Sequence, residues 1–264
     1  MTSRNPTILF VPGLWEGPTV FQQVISSLTS LGYPTRTAPL LSTGTSFPNN
    51  PSMKDDQTSI RSVVRHLVEE QEKEIIMVMH SAGGFLGSGA IEGLGRKSRE
   101  AERKSGGVRK LVFLAAGIAP VGHTHVDLPF MDIEVSRRSV FSCFGGEFRV
   151  QRDETAKEAG EMHCVNPRQL LFNDLLPAET EKWLPLLKSQ PLSGWNDTTT
   201  YTGWTEIPSV FLICENDQIL PEEYQIQAAT MMGSKIERCN SGHMVMLSMP
   251  GKVVDVVVSA AEDP

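Results

Sequence analysis

The chain has 264 residues, enough for one large domain or two small ones with a sizeable buried core. Its 24 Lys and Arg against 31 Asp and Glu give a net charge of −7, and 40% of the residues are apolar. Because an acidic chain without a basic run repels phosphates and anionic lipid, we predict that it binds neither nucleic acid nor membranes. The apolar runs are too short to span a bilayer, and the N-terminal residues lack the apolar region of a secretory signal, which predicts a cytoplasmic location.

Cysteines and histidines give little indication of a bound metal. The four cysteines are scattered without a CxxC pair, at Cys143, Cys164, Cys214 and Cys239. This spacing favours free thiols over a disulfide framework or a zinc site. His123 and His125 could supply two metal ligands, but no third ligand is evident. We therefore predict a protein without metal or cofactor.

Apolar, β-prone runs alternate with helical periodicities over most of the chain. Up to residue 121 the predicted elements are strand 7–11, helix 19–31, strand 34–40, a helix with the apolar stripe Ile60, Val63, Val64, Leu67 and Val68, strand 74–79, helix 82–94, a charged connection over 96–107 and strand 108–116. After residue 205 they are strand 209–214, helix 221–232, strand 235–239 and helix 251–261. This alternation predicts a doubly wound, mostly parallel sheet flanked by helices.

The alternation breaks down between residues 122 and 205. Irregular connections punctuated by Pro and Gly surround short helical patterns there, including one at 178–187. We therefore predict a lid inserted into the core, which then consists of residues 1–121 and 206–264. The insertion carries the aromatic residues Phe130, Phe141, Phe144, Phe148, Phe172, Trp183 and Trp195, which we expect partly to roof an apolar pocket and partly to pack the lid against the core.

The segment MHSAGG joins a buried strand to a helix of small residues, with Ser81 in the turn. A tight turn of this kind holds its middle residue in a strained conformation at the carboxyl edge of the sheet. The hydroxyl then faces the positive end of the helix. Ser81 is either a nucleophile or a simple helix cap, and Met79 departs from the G-x-S-x-G pattern, which would place Gly there.

A serine nucleophile needs an imidazole to take its proton and a carboxylate to orient the imidazole. His243 follows the last predicted strand and Asp217 follows the strand before it, in the chain order Ser, Asp, His that this arrangement favours. We therefore predict the catalytic residues Ser81, Asp217 and His243. The alternative acid is Glu215, and His80, beside the nucleophile, is more typical of a structural role.

The remaining histidines are less suitable as the base. His66 lies on the striped helix, and the others, His123, His125 and His163, fall in the irregular segment. An acyl-transfer site also needs two N–H donors for the oxyanion. The N–H of Ala82 comes with the turn, and Gly13 allows the backbone after the first strand to approach, so we predict the N–H of Leu14 as the second donor.

These segments resemble the plant methylesterase and hydroxynitrile lyase branch of the α/β-hydrolase superfamily, and similar small hydrolases of filamentous fungi. The matching segments are FVPGLWEGPTVFQQV, MHSAGG, KLVFLAAGIAP, VFLICENDQILPEEYQ and SGHMVMLSMP. The resemblance implies the α/β-hydrolase fold, with nucleophile, acid and base at Ser81, Asp217 and His243. It also implies oxyanion donors at Leu14 and Ala82.

The chain departs from the family at several positions. Pro12 stands where the family usually has His, and Met79 where it has Gly. The lyases use a Thr in the first loop and a Lys directly after the base, where this chain has Gly13 and Met244. Lyase chemistry is therefore not expected.

These features predict a cofactor-free serine hydrolase that cleaves an ester, lactone or thioester of a small, largely apolar molecule. Two alternatives stay open. The same residues can support non-hydrolytic or C–C bond-cleaving chemistry on a polyketide-like metabolite, and a receptor can keep the triad while turning over very little. The expected partner is a small-molecule substrate, and a homodimer is left open.

Overall fold

The computed structural model of the protein describes residues 5–45, 51–124, 161–164, 166–191 and 197–263. Within these ranges the strands are β1 (Thr7–Val11), β2 (Thr35–Thr37), β3 (Glu74–His80), β4 (Gly107–Leu114), β5 (Glu161–Met162), β6 (Gln190–Pro191), β7 (Ser209–Cys214) and β8 (Lys235–Cys239). Six of them form one sheet in the order β2-β1-β3-β4-β7-β8, and every neighbouring pair is parallel. The predicted doubly wound, parallel sheet is therefore confirmed.

The register of the sheet brings the ends of its central strands to one edge. Val11 pairs with Met79, His80 with Leu114, and Cys214 with Cys239. Because the strands are parallel, the loops that follow β1, β3, β4, β7 and β8 all leave this edge, where ligands bind in open α/β sheets. The predicted site residues lie on these loops.

Helices connect the strands and cover the sheet. They are α1 (Gln22–Ser30), α2 (Met53–Arg65), α3 (Gly83–Gly89), α4 (Arg96–Ala101), α5 (Pro167–Leu170), α6 (Pro177–Trp183), α7 (Glu222–Met232), α8 (Val245–Ser248) and α9 (Pro250–Glu262). Ser52 caps α2: its hydroxyl accepts from the N–H of Asp55, whose carboxylate accepts from the N–H of Ser52. No described helix is long and apolar enough to cross a membrane.

The core lies on both faces of the sheet. Every residue of β1 is buried, as are the six residues of β3 from Ile75 to His80, which explains why these strands are continuous apolar runs. In the striped helix Ile60, Val64 and Val68 are fully buried, and the last turn of the stripe, His66–Glu70, is wound as a π-helix. The predicted bounds of β7 and β8 agree with the structure.

Several predicted elements differ from the structure. The helix predicted at 19–31 begins as a 3-10 turn, Pro18–Phe21, and Leu31 of its predicted apolar face is 56% exposed. The helix predicted at 82–94 ends at Gly89. The charged connection predicted over 96–107 contains α4, whose Arg99 is buried and donates to the carbonyls of Ser105 and Gly106.

Much of the predicted lid lies outside the described residues, including Phe130, Phe141, Phe144, Phe148 and Trp195. The described part contains the antiparallel pair β5–β6 and the helices α5 and α6. Phe172 is buried in the core, and the partly buried Trp183 packs against the core. Cys164, Cys214 and Cys239 are free, while Cys143 lies outside the described residues.

Candidate active site

Ser81 occupies a strained turn between β3 and α3. Its φ of +50° is rare for a residue with a side chain, and its backbone is fixed on both sides. The N–H donates to the carbonyl of Leu114 at 3.2 Å, and the carbonyl accepts from the N–H groups of Gly84 and Gly117 at 3.0 and 2.9 Å. Strained backbone of this kind persists only where the surroundings impose it and is concentrated at functional sites.

Small residues allow the turn to fit between its neighbours. A Cβ on Gly13 would lie 2.7 Å from the Cβ of Ser81, and one on Gly83 would lie 2.6 Å from the carbonyl oxygen of Pro12. The side chain of Met79, the departure from G-x-S-x-G, is accommodated by Gly87, where a Cβ would lie 2.7 Å from the Met79 sulfur. The absence of glycine at position 79 is thus compensated by a glycine on α3.

Gly84→Ala tests how tightly this turn is packed. The added methyl would meet the backbone carbonyl of Gly117 and lie 2.9 Å from the Cβ of Ala116, and backbone cannot move aside as a flexible side chain can. We expect the free energy of unfolding to fall by about 1–3 kcal/mol, measured by urea denaturation. Gly251→Ala is the matched control, since a Cβ there meets nothing within 4 Å. An unchanged or higher unfolding free energy for Gly84→Ala would contradict this packing.

Asp217 lies on the loop after β7 with its side chain fully buried. Its Oδ1 accepts from the N–H groups of Ile219 and Leu220 at 2.7 and 3.0 Å. Its Oδ2 lies 2.8 Å from Nδ1 of His243 and accepts from Nε2 of Gln225 at 3.3 Å. The carboxylate is therefore held at both oxygens, and one of them faces the imidazole.

Gln225, on α7, anchors this loop to the end of β7. Its side chain accepts from the N–H of Cys214 at 2.9 Å and donates to the carbonyls of Cys214 and Leu220 at 3.1 and 2.7 Å. It is fully buried. Sequence reasoning did not single out Gln225, although it is the last residue of VFLICENDQILPEEYQ, a segment that resembles the methylesterases, and this was a usable signal.

His243 lies on the loop after β8, and residues from the predicted insertion hold that loop. Asp174 Oδ2 accepts from the N–H of Gly242 at 2.6 Å and from the hydroxyl of Ser241 at 3.1 Å. Asn173 donates to the carbonyl of Asn216 at 3.0 Å, on the loop that carries Asp217. Asn173 and Asp174 thus connect the loops that carry Asp217 and His243, and no local sequence pattern indicated this.

Ser81 and His243 both adjoin His80. A Cβ placed on Gly13 would touch Ser81 and would also lie 3.2 Å from Nδ1 of His80, and the rings of His80 and His243 are 4.7 Å apart between centroids. Among the described residues the hydroxyl of Ser81 forms no hydrogen bond, so none joins it to His243 here. Such bonds are often absent or long before substrate binds.

The two predicted oxyanion donors are Ala82 and Leu14. Ala82 follows Ser81 and is the N-cap of α3, and Leu14 follows Gly13, where a Cβ would lie 2.7 Å from the Cβ of Ser81. Neither backbone N–H has a hydrogen-bond partner in the part of the chain that the structure describes. Stabilising a developing oxyanion requires N–H donors that have no other partner, and both predicted donors meet that requirement.

The alternative acid and base residues are placed elsewhere. Glu215 pairs with Arg238 at 2.8 Å, and both side chains are partly exposed at the surface. His66 pairs with Glu70 on the exposed surface of the π-turn. His125 lies outside the described residues. Within the described ranges no three His, Cys, Asp or Glu side chains cluster as a metal site would require.

His80 connects the turn with two other loops. Its Nδ1 lies 2.8 Å from Oε1 of Glu16, and its Nε2 lies 2.9 Å from the carbonyl oxygen of His243. Burial by itself lowers the pKa of His80, but the Glu16 carboxylate, the His243 carbonyl and Asp217 outweigh it and raise the pKa above its ordinary value of 6.5. Sequence reasoning gave His80 a structural role and did not single out Glu16.

This raised pKa predicts a pH-dependent stability. Below pH 6.5 the imidazole is charged in both folded and unfolded states, so the favourable pairing contributes fully; as pH rises through the folded pKa, that contribution is lost. We expect the unfolding free energy of the wild type minus that of His80→Gln to be larger at about pH 6 than at about pH 9. Urea denaturation of both proteins, with His66→Gln as control, measures it; a difference that grows with pH would contradict the assignment.

Comparison with known proteins agrees with this architecture. The sequence model of the Alpha/beta hydrolase family matches residues 8–256. This chain therefore belongs to the alpha/beta hydrolase family, as the resemblance predicted. Over 262 residues it is 29% identical to the alpha/beta hydrolase nvfD of Aspergillus novofumigatus, with 97% of each chain covered.

Solved structures share the fold at low identity. Polyneuridine aldehyde esterase superposes with a TM-score of 0.72 at 16% identity, covering 98% of this chain and 100% of the other. Tomato methylketone synthase I, crystallised with 2-tridecanone, gives 0.73 at 15% identity, with 97% and 98% covered. Because a relative along the whole chain is named as a hydrolase, the comparison supports a hydrolase for this chain. The solved structures are only 16% and 15% identical in sequence, so they support the fold alone.

Proposed function

We propose that the protein is a cofactor-free serine hydrolase that cleaves an ester, lactone or thioester of a small, largely apolar molecule. The observation that carries the proposal is a serine in a strained turn at the same sheet edge as a buried, hydrogen-bonded Asp217–His243 pair. Two partly buried apolar residues support an apolar substrate: Phe85, four residues after Ser81, and Leu14, which follows the glycine packed against Ser81.

The hydrogen bonds of the acid define which imidazole nitrogen is basic. The Asp217 carboxylate can only accept, so the proton of neutral His243 lies on Nδ1 and the lone pair lies on Nε2. Nε2 then takes the Ser81 proton as Oγ attacks the substrate carbonyl carbon. The N–H groups of Leu14 and Ala82 donate to the oxyanion, and Asp217 stabilises the imidazolium.

The second half of the reaction uses the same groups in reverse. The imidazolium gives its proton to the leaving alcohol or thiol, and the tetrahedral intermediate collapses to an acyl-Ser81. Water, deprotonated by His243, then attacks the acyl carbonyl and releases the acid. Each step conserves protons within Ser81, His243, the leaving group and water, so the residues need no further reactant.

The proposal is tested by turnover of aryl and methyl esters together with trapping of the intermediate. We expect p-nitrophenyl esters of short and medium chain length to be hydrolysed with a burst of nitrophenol equal to the enzyme concentration, or with an acyl adduct visible by intact-mass spectrometry after rapid quenching. Turnover without an adduct on Ser81 would favour non-hydrolytic or general-base chemistry. Labelling of Ser81 by a fluorophosphonate without ester turnover would favour a receptor.

A further inference from the structure

A buried pair of ionisable side chains connects three loops of the candidate site. Glu16 belongs to the loop after β1, here called the oxyanion loop (residues 12–16), and His80 is the last residue of β3. Their side chains are 3% and 1% exposed. Through the carbonyl of His243, the pair also contacts the loop that carries the base, here called the base loop (residues 240–244).

The hydrogen bonds of the two side chains fit an ion pair. The carbonyl of His243 can only accept, so Nε2 of His80 carries a proton. Oε1 of Glu16 accepts from the N–H of Gly13 at 2.6 Å and lies 2.8 Å from Nδ1 of His80. An ionised carboxylate that accepts both bonds, beside an imidazolium that donates from both nitrogens, satisfies the whole set.

The pair also occupies one backbone N–H group of the oxyanion loop. The N–H of Gly13 is directed to Glu16, whereas that of Leu14, the next along the chain, has no partner among the described residues. Burying two charges is costly, and an apolar pair of similar size is often as stable. What the ion pair supplies here is a defined arrangement of the two loops.

We propose that Glu16 and His80 are positioning residues that hold the oxyanion loop and the base loop at fixed positions beside Ser81. This inference rests on the proposed serine hydrolase function. Glu16 fixes the N–H of Gly13 and thereby the position of the neighbouring donor at Leu14. His80 fixes the carbonyl of His243 and thereby the position of the His243 imidazole. Neither side chain touches the substrate.

Glu16→Gln removes the charge with little change in shape. Without the carboxylate, the buried imidazole has no opposite charge beside it and should become neutral, with its proton on Nε2 for the His243 carbonyl. The Gln oxygen can still accept from Gly13 but cannot donate to the unprotonated Nδ1, so that bond of the set is lost. Loss of an oxyanion donor costs about 10²–10³ in kcat, and we expect displacement of one to cost about 10–100-fold. KM should change by less than about threefold, since the lost interaction is made in the transition state.

The experiment compares wild type, Glu16→Gln, His80→Gln and the double variant, with the exposed Glu223→Gln and His66→Gln as controls. Rates are expressed per site labelled by a fluorophosphonate, which removes the effect of misfolded protein. We expect each single variant to lose kcat and the double variant to lose about as much as one single variant, because residues that act as a unit are not additive. Lower thermal stability with unchanged kcat per labelled site would reduce the pair to a structural role and overturn the proposal.

An NMR measurement on the wild type keeps the proposal testable if the variants fold poorly. In protein labelled with ¹⁵N-histidine, the ring nitrogens of His80, assigned by comparison with His80→Gln, are followed as the pH is raised. Both nitrogens should keep the shifts of a protonated imidazolium beyond pH 6.5, the ordinary pKa of histidine. A ring that becomes neutral at or below pH 6.5 would overturn the proposed ion pair. If the wild type showed neither ester turnover nor labelling, the proposed hydrolase function would be overturned instead. This outcome therefore distinguishes failure of the function from failure of the ion pair.

Discussion

Ser81→Ala is expected to lower kcat for ester hydrolysis by a factor on the order of 10⁴–10⁶, leaving only the weak catalysis that binding and the oxyanion donors provide. The reason is that no other hydroxyl is placed in the turn at the end of β3, where the backbone holds Ser81 at a φ of +50°. Steady-state kinetics on the preferred aryl ester measures the effect, with KM recorded alongside.

Ser259→Ala is the matched control for this variant. Ser259 lies exposed on α9, away from the sheet edge that carries the site, so its removal should leave kcat unchanged. Circular dichroism and urea denaturation should give Ser81→Ala a stability equal to or above that of the wild type, because alanine at a strained catalytic position often stabilises. Turnover by Ser81→Ala within tenfold of the wild type would exclude Ser81 as the nucleophile.

Asp217→Asn is expected to lower kcat by about 10⁴-fold while the fold is retained. The Asn oxygen can replace Oδ1, which accepts from Ile219 and Leu220. The amide nitrogen then replaces Oδ2 and donates to the imidazole, so the lone pair of His243 moves to Nδ1 and Nε2 carries the proton. An imidazole protonated at Nε2 cannot take the proton of Ser81.

Asp255→Asn, exposed on α9, is the control for the loss of one negative charge. Glu215→Gln tests the alternative acid directly, and we expect it to affect kcat by less than about twofold, because Glu215 pairs with Arg238 at the surface. If Glu215→Gln lowered kcat more than Asp217→Asn, the acid would have been assigned to the wrong residue.

The strands that carry the site could be predicted because burial on both faces leaves an unmistakable signal. The apolar runs at β1, β3 and β7 lie in the centre of a parallel sheet, so almost every residue of these strands is apolar. The residue types after the carboxyl ends of β3, β7 and the edge strand β8 then indicated Ser81, Asp217 and His243. Sequence alone could therefore place these three residues at one edge.

Elements that depend on tertiary contacts could not be predicted in the same way. Helix α4 has the sequence RKSREA, with no apolar stripe, and its Arg99 is buried by donating to carbonyls that are brought close only by the fold. Glu16 has no partner within its own segment other than Gly13, because His80 lies 64 positions away. Asp174 contacts a loop 68 positions away. Periodicity and spacing contain no information on such pairs.

The proposed function requires His243 to activate Ser81 as a nucleophile. Labelling of the wild type with a fluorophosphonate, followed by peptide mapping, tests this requirement, with His243→Ala treated in parallel. We predict a single adduct on the peptide containing Ser81 and labelling at least 100-fold slower in His243→Ala, in line with the magnitude of general-base catalysis, about 10²–10⁴-fold. An adduct on another residue, or equal labelling rates in the two proteins, would contradict the claim.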